Sequence, residues 1–440
     1  EKDYYYVDKT LIIKELLDKG GQVNLFTRPR RFGKTLLQTT LRTFFEAEMD
    51  QNGQLKDNSH YFDGMKIMDA GEEYTRHLGR YPVIFLSLKS AKQPTFEMAY
   101  QSLVDDIVKE FERHYYVLAD REMFPTKREK YIKLMEGSAE EADYAKALAF
   151  LSECLERYHG KKTIILLDEY DVPLENSYFE GFYEQMITFI RSLFESALKT
   201  NESLEFAVIT GCLRISKESI FTGLNNLEVI SILNKQYAES FGFTQAEVEQ
   251  MLEYYELTQK KQELKEWYDG YLFGDIEVYN PWSVVNYVKT AAFDAGAFPK
   301  PYWSNTSSNS IVKEVVEGAD RGVKNEIEGL IAGGAIEKQI HEDITYGDIH
   351  QSQDNLWNFL FFTGYLKAVS QRFEANRIYL TMEIPNEEIR YIYQNTIREW
   401  FERGIKQQNF TEMYQALFSG DENAFEETIC HQLAGSISYF

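Results

Sequence analysis

This chain is poor in the residues that mark several large protein classes. Cysteine is scarce: Cys154, Cys212 and Cys430 are the 3 in 440 residues. They stand far apart, with neither disulfide-framework nor zinc-site spacing. That excludes a stapled secreted scaffold and suits a reducing cytoplasm. The 7 His are scattered and form no metal-binding H-x-x-x-H pair. Neither a signal peptide nor an apolar run long enough to cross a bilayer is found, so no membrane partner is expected. No internal repeat or low-complexity tract appears. Positive charge is also short, with 47 Lys and Arg against 70 Asp and Glu, a net charge of −23. A chain this acidic does not coat nucleic acid or anionic membrane over a broad surface, although a local basic groove stays open to it.

What it has in quantity is aromatic and apolar mass. Hydrophobic residues make up 44% of the chain, with 30 Tyr and 30 Phe, which suits a folded, aromatic-rich core. At 440 residues, more than one domain is expected.

The scarce basic residues crowd into one place, Arg28-Pro29-Arg30-Arg31-Phe32-Gly33-Lys34-Thr35, behind the apolar run Val23-Asn24-Leu25-Phe26. A helix-like segment, Leu36 to Met49, follows. Strand, loop ending in Gly-Lys-Thr, then helix is the layout of a phosphate-binding P-loop. The amides of Pro29 to Leu36 would wrap phosphates at a helix N-terminus, though Pro29 itself brings no N–H. Lys34 would reach the β- and γ-phosphates, and the Thr35 hydroxyl would ligate Mg²⁺. The loop departs from G-x-x-x-x-G-K-S/T, because Arg28 and Arg31 stand where the fuller pattern has glycines and only Gly33 is kept. Arg30 and Arg31 are open to three uses: cradling phosphate, holding the loop to Asp171 or another acid, or facing a partner. The rival readings of the whole loop are a chance basic turn before a helix and a basic patch for nucleic-acid phosphates.

A second motif answers the first. Thr163-Ile164-Ile165-Leu166-Leu167-Asp168-Glu169 is apolar at nearly every position, as a parallel strand buried on both faces would be. Its end would present Asp168 to Mg²⁺ and Glu169 to the attacking water as a general base. A third apolar run, Phe206 to Gly211, ends in Thr210, placed as a γ-phosphate sensor or a plain strand-end cap. Arg214 follows as an arginine finger or a surface ion pair.

With these motifs the chain resembles the bacterial AAA-ATPase-like proteins that often carry a C-terminal nuclease domain of the PD-(D/E)XK superfamily. The carrying residues include Tyr6-Val7-Asp8-Lys9-Thr10, the Arg28–Thr35 loop, Asp168-Glu169-Tyr170-Asp171-Val172-Pro173-Leu174, Trp267-Tyr268-Asp269-Gly270-Tyr271, Tyr279-Asn280-Pro281-Trp282-Ser283 and Phe362-Thr363-Gly364-Tyr365. That family is similar to the STAND class of signal-transduction ATPases. The resemblance makes the Arg28 form of the loop usual and implies a Pro near the adenine, here Pro281. The bland alternative for Pro281 is the first residue of a helix capped by Asn280. The resemblance also implies a helical domain and a winged helix after the ATPase core. The nuclease domain would begin about where this chain stops, and the chain opens without Met. The expectation is therefore a fragment without nuclease activity.

The expected fold is α/β, a P-loop parallel sheet with flanking helices, then a helical lid and a winged-helix-like domain. Residues 1–235 would form the core, with a helical insertion at about 95–158 that carries a partner surface or pads the core. Residues 236–305 would form the lid, 306–385 the winged helix, and 386–440 a helical segment leading into a truncated nuclease-like domain. Thr10 is expected to cap the first helix. The expected ligands are ATP or ADP with Mg²⁺. A second copy of the chain, a protein partner, or DNA through the winged helix are the compatible macromolecular partners. The function read from this is a cytoplasmic, nucleotide-dependent switch for a C-terminal effector. Its rivals are a non-hydrolysing nucleotide-bound interaction module and a DNA-binding effector component.

Overall fold

The computed structural model of the chain describes residues 5–50, 53–213, 220–221, 224–303, 321–342 and 353–407, with residues 419, 421, 422 and 426. Arg214, most of the expected linker at 303–309 and most of the tail beyond residue 407 lie outside the described residues. The chain divides into two compact units. One comprises Glu1–Met251, Tyr271–Pro281 and His341–Thr363, the other Leu252–Gly270, Trp282–Ile340 and Gly364–Phe440. Residues 236–305, read from the sequence as one lid, thus contribute to both.

The first unit is built on five parallel strands: β1 (Val23–Thr27), β2 (Val83–Ser87), β3 (Thr163–Asp168), β4 (Leu204–Gly211) and β5 (Leu227–Ile230), in the order β2-β3-β4-β1-β5. Every residue of β1 and β3 is buried, as strands covered by helices on both faces must be. The two strands that carry the sequence motifs are therefore separated by β4. Register brings their ends level, with Thr27 opposite Gly211 and Leu167 opposite Ile209.

The charged insertion has a clear structural duty. Its first helix, Phe96–Arg113, lies along the outer edge of β2 and supplies the hydrogen bonds a sixth strand would supply. The Phe85 amide donates to Glu110 Oε1 at 2.7 Å, and the Val83 carbonyl accepts from Arg113 Nη2 at 2.6 Å and His114 Nε2 at 3.1 Å. An exposed strand edge is thereby closed to intermolecular pairing. His114 Nδ1 contacts the Tyr116 hydroxyl at 2.9 Å, which contacts His159 Nε2 at 2.9 Å. Burial holds both imidazoles below their usual range, His159 at about 4. Both stay neutral in the folded chain while the unfolded chain protonates below about pH 6.5. Stability is thus expected to be lost as pH falls from about 6.5 through 4. Melting curves at stepped pH check this, and His159→Gln should flatten the loss.

After β3 the sequence pattern predicts a loop and then a helix from Phe179 to Lys199. The helix instead starts at once, Val172–Glu180, with Pro173 in its first turn. Gly181, at φ 83°, ends it before the next helix, Tyr183–Phe194. Thr10 does not cap α1 (Leu11–Lys19) through its side chain. Its N–H and hydroxyl donate to Asp8 Oδ1 at 2.8 and 2.6 Å, and its hydroxyl accepts from the Ile67 amide at 3.1 Å.

Further strands follow, of which the sequence pattern shows the one over residues 378–385, seen here over Arg377–Glu383. β6 (Phe243–Thr244), β7 (Tyr271–Phe273) and β8 (Ile276–Tyr279) form a small antiparallel sheet in the first unit. The β7–β8 turn needs Gly274, at φ 57°, because a Cβ there would sit 2.6 Å from the Lys235 Cα. In the second unit, β9 (Ile336–Ile340), β10 (Lys367–Glu374) and β11 (Arg377–Glu383) pair antiparallel in the order β10-β11-β9. This sheet lies in the stretch where a winged helix is expected, of which residues 306–320 and 343–352 are outside the described residues. β10 hid from the sequence pattern because most of it is exposed on both faces, which erases the period-2 signal.

Candidate nucleotide site

The loop between β1 and α2 (Lys34–Phe45) has two left-handed positions, Arg31 at φ 69° and Gly33 at φ 84°. Gly33 is the N-cap of α2, no side chain caps that helix end, and no acid stands in its first turn. The first amides of α2 are thus available to an anion. Of the two glycines missing from the fuller pattern, only the one replaced by Arg31 stood at a left-handed position.

Arg28 has a different use. Its guanidinium is fully buried and lies 5.0 and 5.1 Å from the ring centroids of Phe241 and Phe273. Nη1 donates to the carbonyls of Thr27 and Ile230, each at 3.0 Å. Burial without a carboxylate lowers its pKa to about 9. Arg28 thus ties the start of the loop to the end of β5 and to the small β6–β8 sheet. Phe32, expected at the nucleotide, buries its ring in the same place, 4.9 Å from Tyr271 and 5.2 Å from Phe273. It anchors the loop through its side chain and leaves only its backbone to a ligand. Pro29 is buried and Leu36 is exposed.

Lys34 is buried, with Nζ donating to the carbonyls of Arg28 at 2.9 Å and Pro29 at 2.8 Å and lying 3.6 Å from Cys212 Sγ. The Thr35 hydroxyl donates to Asp168 Oδ2 at 2.6 Å, and the Thr210 hydroxyl donates to Asp168 Oδ1 at 2.5 Å. The hydroxyls of Thr35 and Thr210, from two further elements, therefore converge on the Asp168 carboxylate. Beneath them Gln38 Nε2 donates to the carbonyls of Leu167 and Val208, each at 3.1 Å, and so joins the ends of β3 and β4. Thr210 is fully buried. Its one proton serves Asp168, which makes it an orienting group for that carboxylate.

Glu169 is partly exposed and left-handed at φ 53°, a strained conformation for a side-chain-bearing residue. Burial and the neighbouring Asp168 raise its carboxyl pKa, with Lys34 opposing. Two further acids complete the site. Asp171 is buried and accepts from the amides of Cys212 at 2.7 Å and Leu213 at 3.2 Å, and its pKa is raised by burial. Together with the Tyr170 hydroxyl, which donates to the Leu213 carbonyl, it clamps the chain just past β4. Glu175 takes the guanidinium of Arg30. Burial pushes the Cys212 thiol up to about 11, so it is no nucleophile.

Sequence reasoning missed Gln38 and Glu175 as parts of the site. The signal was the helix start: once Val172 begins a helix, Asp171 stands at its N-cap position and Glu175 in its first turn. Pro281 opens the helix Pro281–Phe293, the position of a first-turn proline. Arg214 lies outside the described residues.

The donor set suits Mg²⁺. Among the described residues no group of three or more His, Cys, Asp or Glu could hold a metal by itself. Thr35 and Asp168, a hydroxyl and a carboxylate in contact, are donors of the kind an ion takes when its other ligands come from phosphate and water. Among the described residues no helix is long and apolar enough to cross a membrane.

Comparison with known proteins agrees with this geometry. The chain is 26% identical over 319 residues to an "Uncharacterized protein in vnfD 5'region" of Azotobacter chroococcum mcd 1. That match covers 71% of this chain and 53% of the relative, so the chain spans about half the relative's length. A family model described as "Predicted AAA-ATPase" matches residues 1–221, which hold the loop, the acidic strand end and β4. With half the chain matched and a parallel sheet that brings Lys34, Thr35 and Asp168 together, the chain belongs to the predicted AAA-ATPase family.

Proposed function

We propose that the chain binds ATP with Mg²⁺ and hydrolyses it, and that the bound nucleotide switches an effector segment C-terminal to the core. The observation that carries the proposal is the meeting of Thr35, Asp168 and Thr210 beside Lys34, at the level ends of three parallel strands.

The residues divide the work. Lys34 would exchange its two loop carbonyls for the β- and γ-phosphates, and the first amides of α2 would take the remaining phosphate oxygens. Thr35 and Asp168 would hold Mg²⁺, which when bound neutralises charge developing on the phosphates. Thr210 and Gln38 keep Asp168 and the ends of β3 and β4 in place. Glu169 would accept a proton from water as its oxygen attacks the γ-phosphorus and the bond to the β-phosphate oxygen breaks. A carboxyl held above its usual range is suited to that task. In this reading Arg214 meets the phosphates or a neighbouring subunit, and Pro281 lies by the adenine.

The test is release of inorganic phosphate from ATP by the purified chain. Release that stops on chelation of Mg²⁺ and returns with it is the expected result. ATP binding with no release at all would leave a nucleotide-bound interaction module in its place.

A further inference from the structure

Arg30 and Glu175 form an ion pair that the hydrolytic roles above do not use. Arg30 sits at the crown of the loop, between Pro29, whose carbonyl holds Lys34, and the left-handed Arg31. Glu175 sits in the first turn of the helix Val172–Glu180, its side chain only 12% exposed. That helix is fixed at its start by the Glu175 amide donating to the Asp171 carbonyl at 2.9 Å, and by buried Pro173, Leu174 and Ser177. The carboxylate therefore stands on a rigid element, and the long Arg30 side chain is the partner able to swing.

The pair also lies near Lys34: Arg30 follows Pro29, whose carbonyl accepts from Lys34 Nζ at 2.8 Å, and Lys34 Nζ lies 3.6 Å from Cys212, whose amide donates to Asp171 one turn before Glu175. Lys34, Glu175 and Arg30 all act on the Asp171 carboxyl, and Lys34, Arg30 and Glu175 with Asp171 all act on the Cys212 thiol. A triphosphate held by Lys34 arrives within reach of the Arg30 guanidinium, whose planar fork suits phosphate as well as carboxylate.

Resting on the nucleotide reading, we infer that Glu175 is a built-in competitor for Arg30, and that it sets the affinity of the site for polyphosphate. Each contact Arg30 makes to a phosphate is offset by the loss of its contact to Glu175, which is left nearly buried beside an anion. The pair lowers affinity and makes binding reversible. When the nucleotide leaves, Glu175 recaptures Arg30 and closes the loop.

The competition predicts a specific pattern in a double-mutant cycle read by equilibrium binding of a fluorescent ATP analogue with Mg²⁺. Glu175→Gln should tighten binding about tenfold, the low end of what one hydrogen bond to a charged group contributes. Arg30→Gln should weaken it by a similar factor. In the Arg30→Gln background, Glu175→Gln should change nothing. Melting temperatures of the four proteins check the fold independently.

Unchanged or weaker binding by Glu175→Gln overturns the inference. So does tightening that persists without Arg30, because Glu175 would then act through its charge alone. If none of the four proteins binds, the nucleotide reading itself fails and this one with it. Normal binding by the wild type with a flat cycle removes the competitor and leaves the nucleotide site standing.

Discussion

Glu169→Gln is expected to lower ATP turnover by about 100- to 10,000-fold, the usual contribution of a positioned general base. The substitution keeps the shape of the side chain and removes only its capacity to take a proton. ATP affinity should therefore stay within a few-fold, because Glu169 holds neither phosphate nor, in the proposed arrangement, the metal. Its setting supports the role. The residue is held in a left-handed conformation at the end of β3, and burial and Asp168 raise its pKa. Because the base works as the carboxylate, turnover by the wild type should fall on the acid side. Initial-rate phosphate release from pH 5 to 8 reads both effects. Equal turnover by the two proteins removes Glu169 from the chemistry.

Restoring the missing glycine of the loop with Arg28→Gly should damage the protein. Removing a buried charge can stabilise a core when an apolar side chain of equal volume replaces it. Glycine replaces it with nothing. The carbonyls of Thr27 and Ile230 lose their donor, and a void opens between Phe241 and Phe273. Large-to-small losses of this kind cost about 3 kcal/mol or more, several degrees of melting temperature. Arg31→Gly is the internal control. Arg31 is left-handed at φ 69°, so glycine there relieves about 1 kcal/mol of strain, which offsets lost side-chain contacts, and should cost far less than Arg28→Gly. Thermal melts of the two variants decide it. A harmless Arg28→Gly would show that the guanidinium does not tie the loop to β5 and the small sheet.

The site was legible in the sequence as far as its chemistry is local. Gly33-Lys34-Thr35 and Asp168-Glu169 each sit at the end of an apolar run, and the register of parallel strands does the rest. That β4 stands between them, so that Thr210 reaches Asp168, depends on strand order, which no local pattern carries. The use of Arg28 was hidden for the same reason, since its partners lie more than two hundred residues away at Ile230, Phe241 and Phe273. Glu175 was hidden by a boundary error. With the helix expected at Phe179, nothing placed that carboxylate beside the loop. The insertion after residue 95 read correctly as helical, but that it completes the edge of β2 rests on Glu110 and Arg113 reaching backbone atoms of Val83 and Phe85. The strands β6 to β10 escaped because they are short or exposed on both faces.

The proposed function stands or falls with the binding of ATP phosphates by Lys34 and its loop. Calorimetric titration of ATP with Mg²⁺ into the wild type and Lys34→Ala tests it most directly. Binding is expected at one site per chain, weakened more than tenfold by the substitution, in a variant whose melting temperature without nucleotide shows it to be folded. Equal affinity in the two proteins, or no binding by a folded wild type, would contradict it.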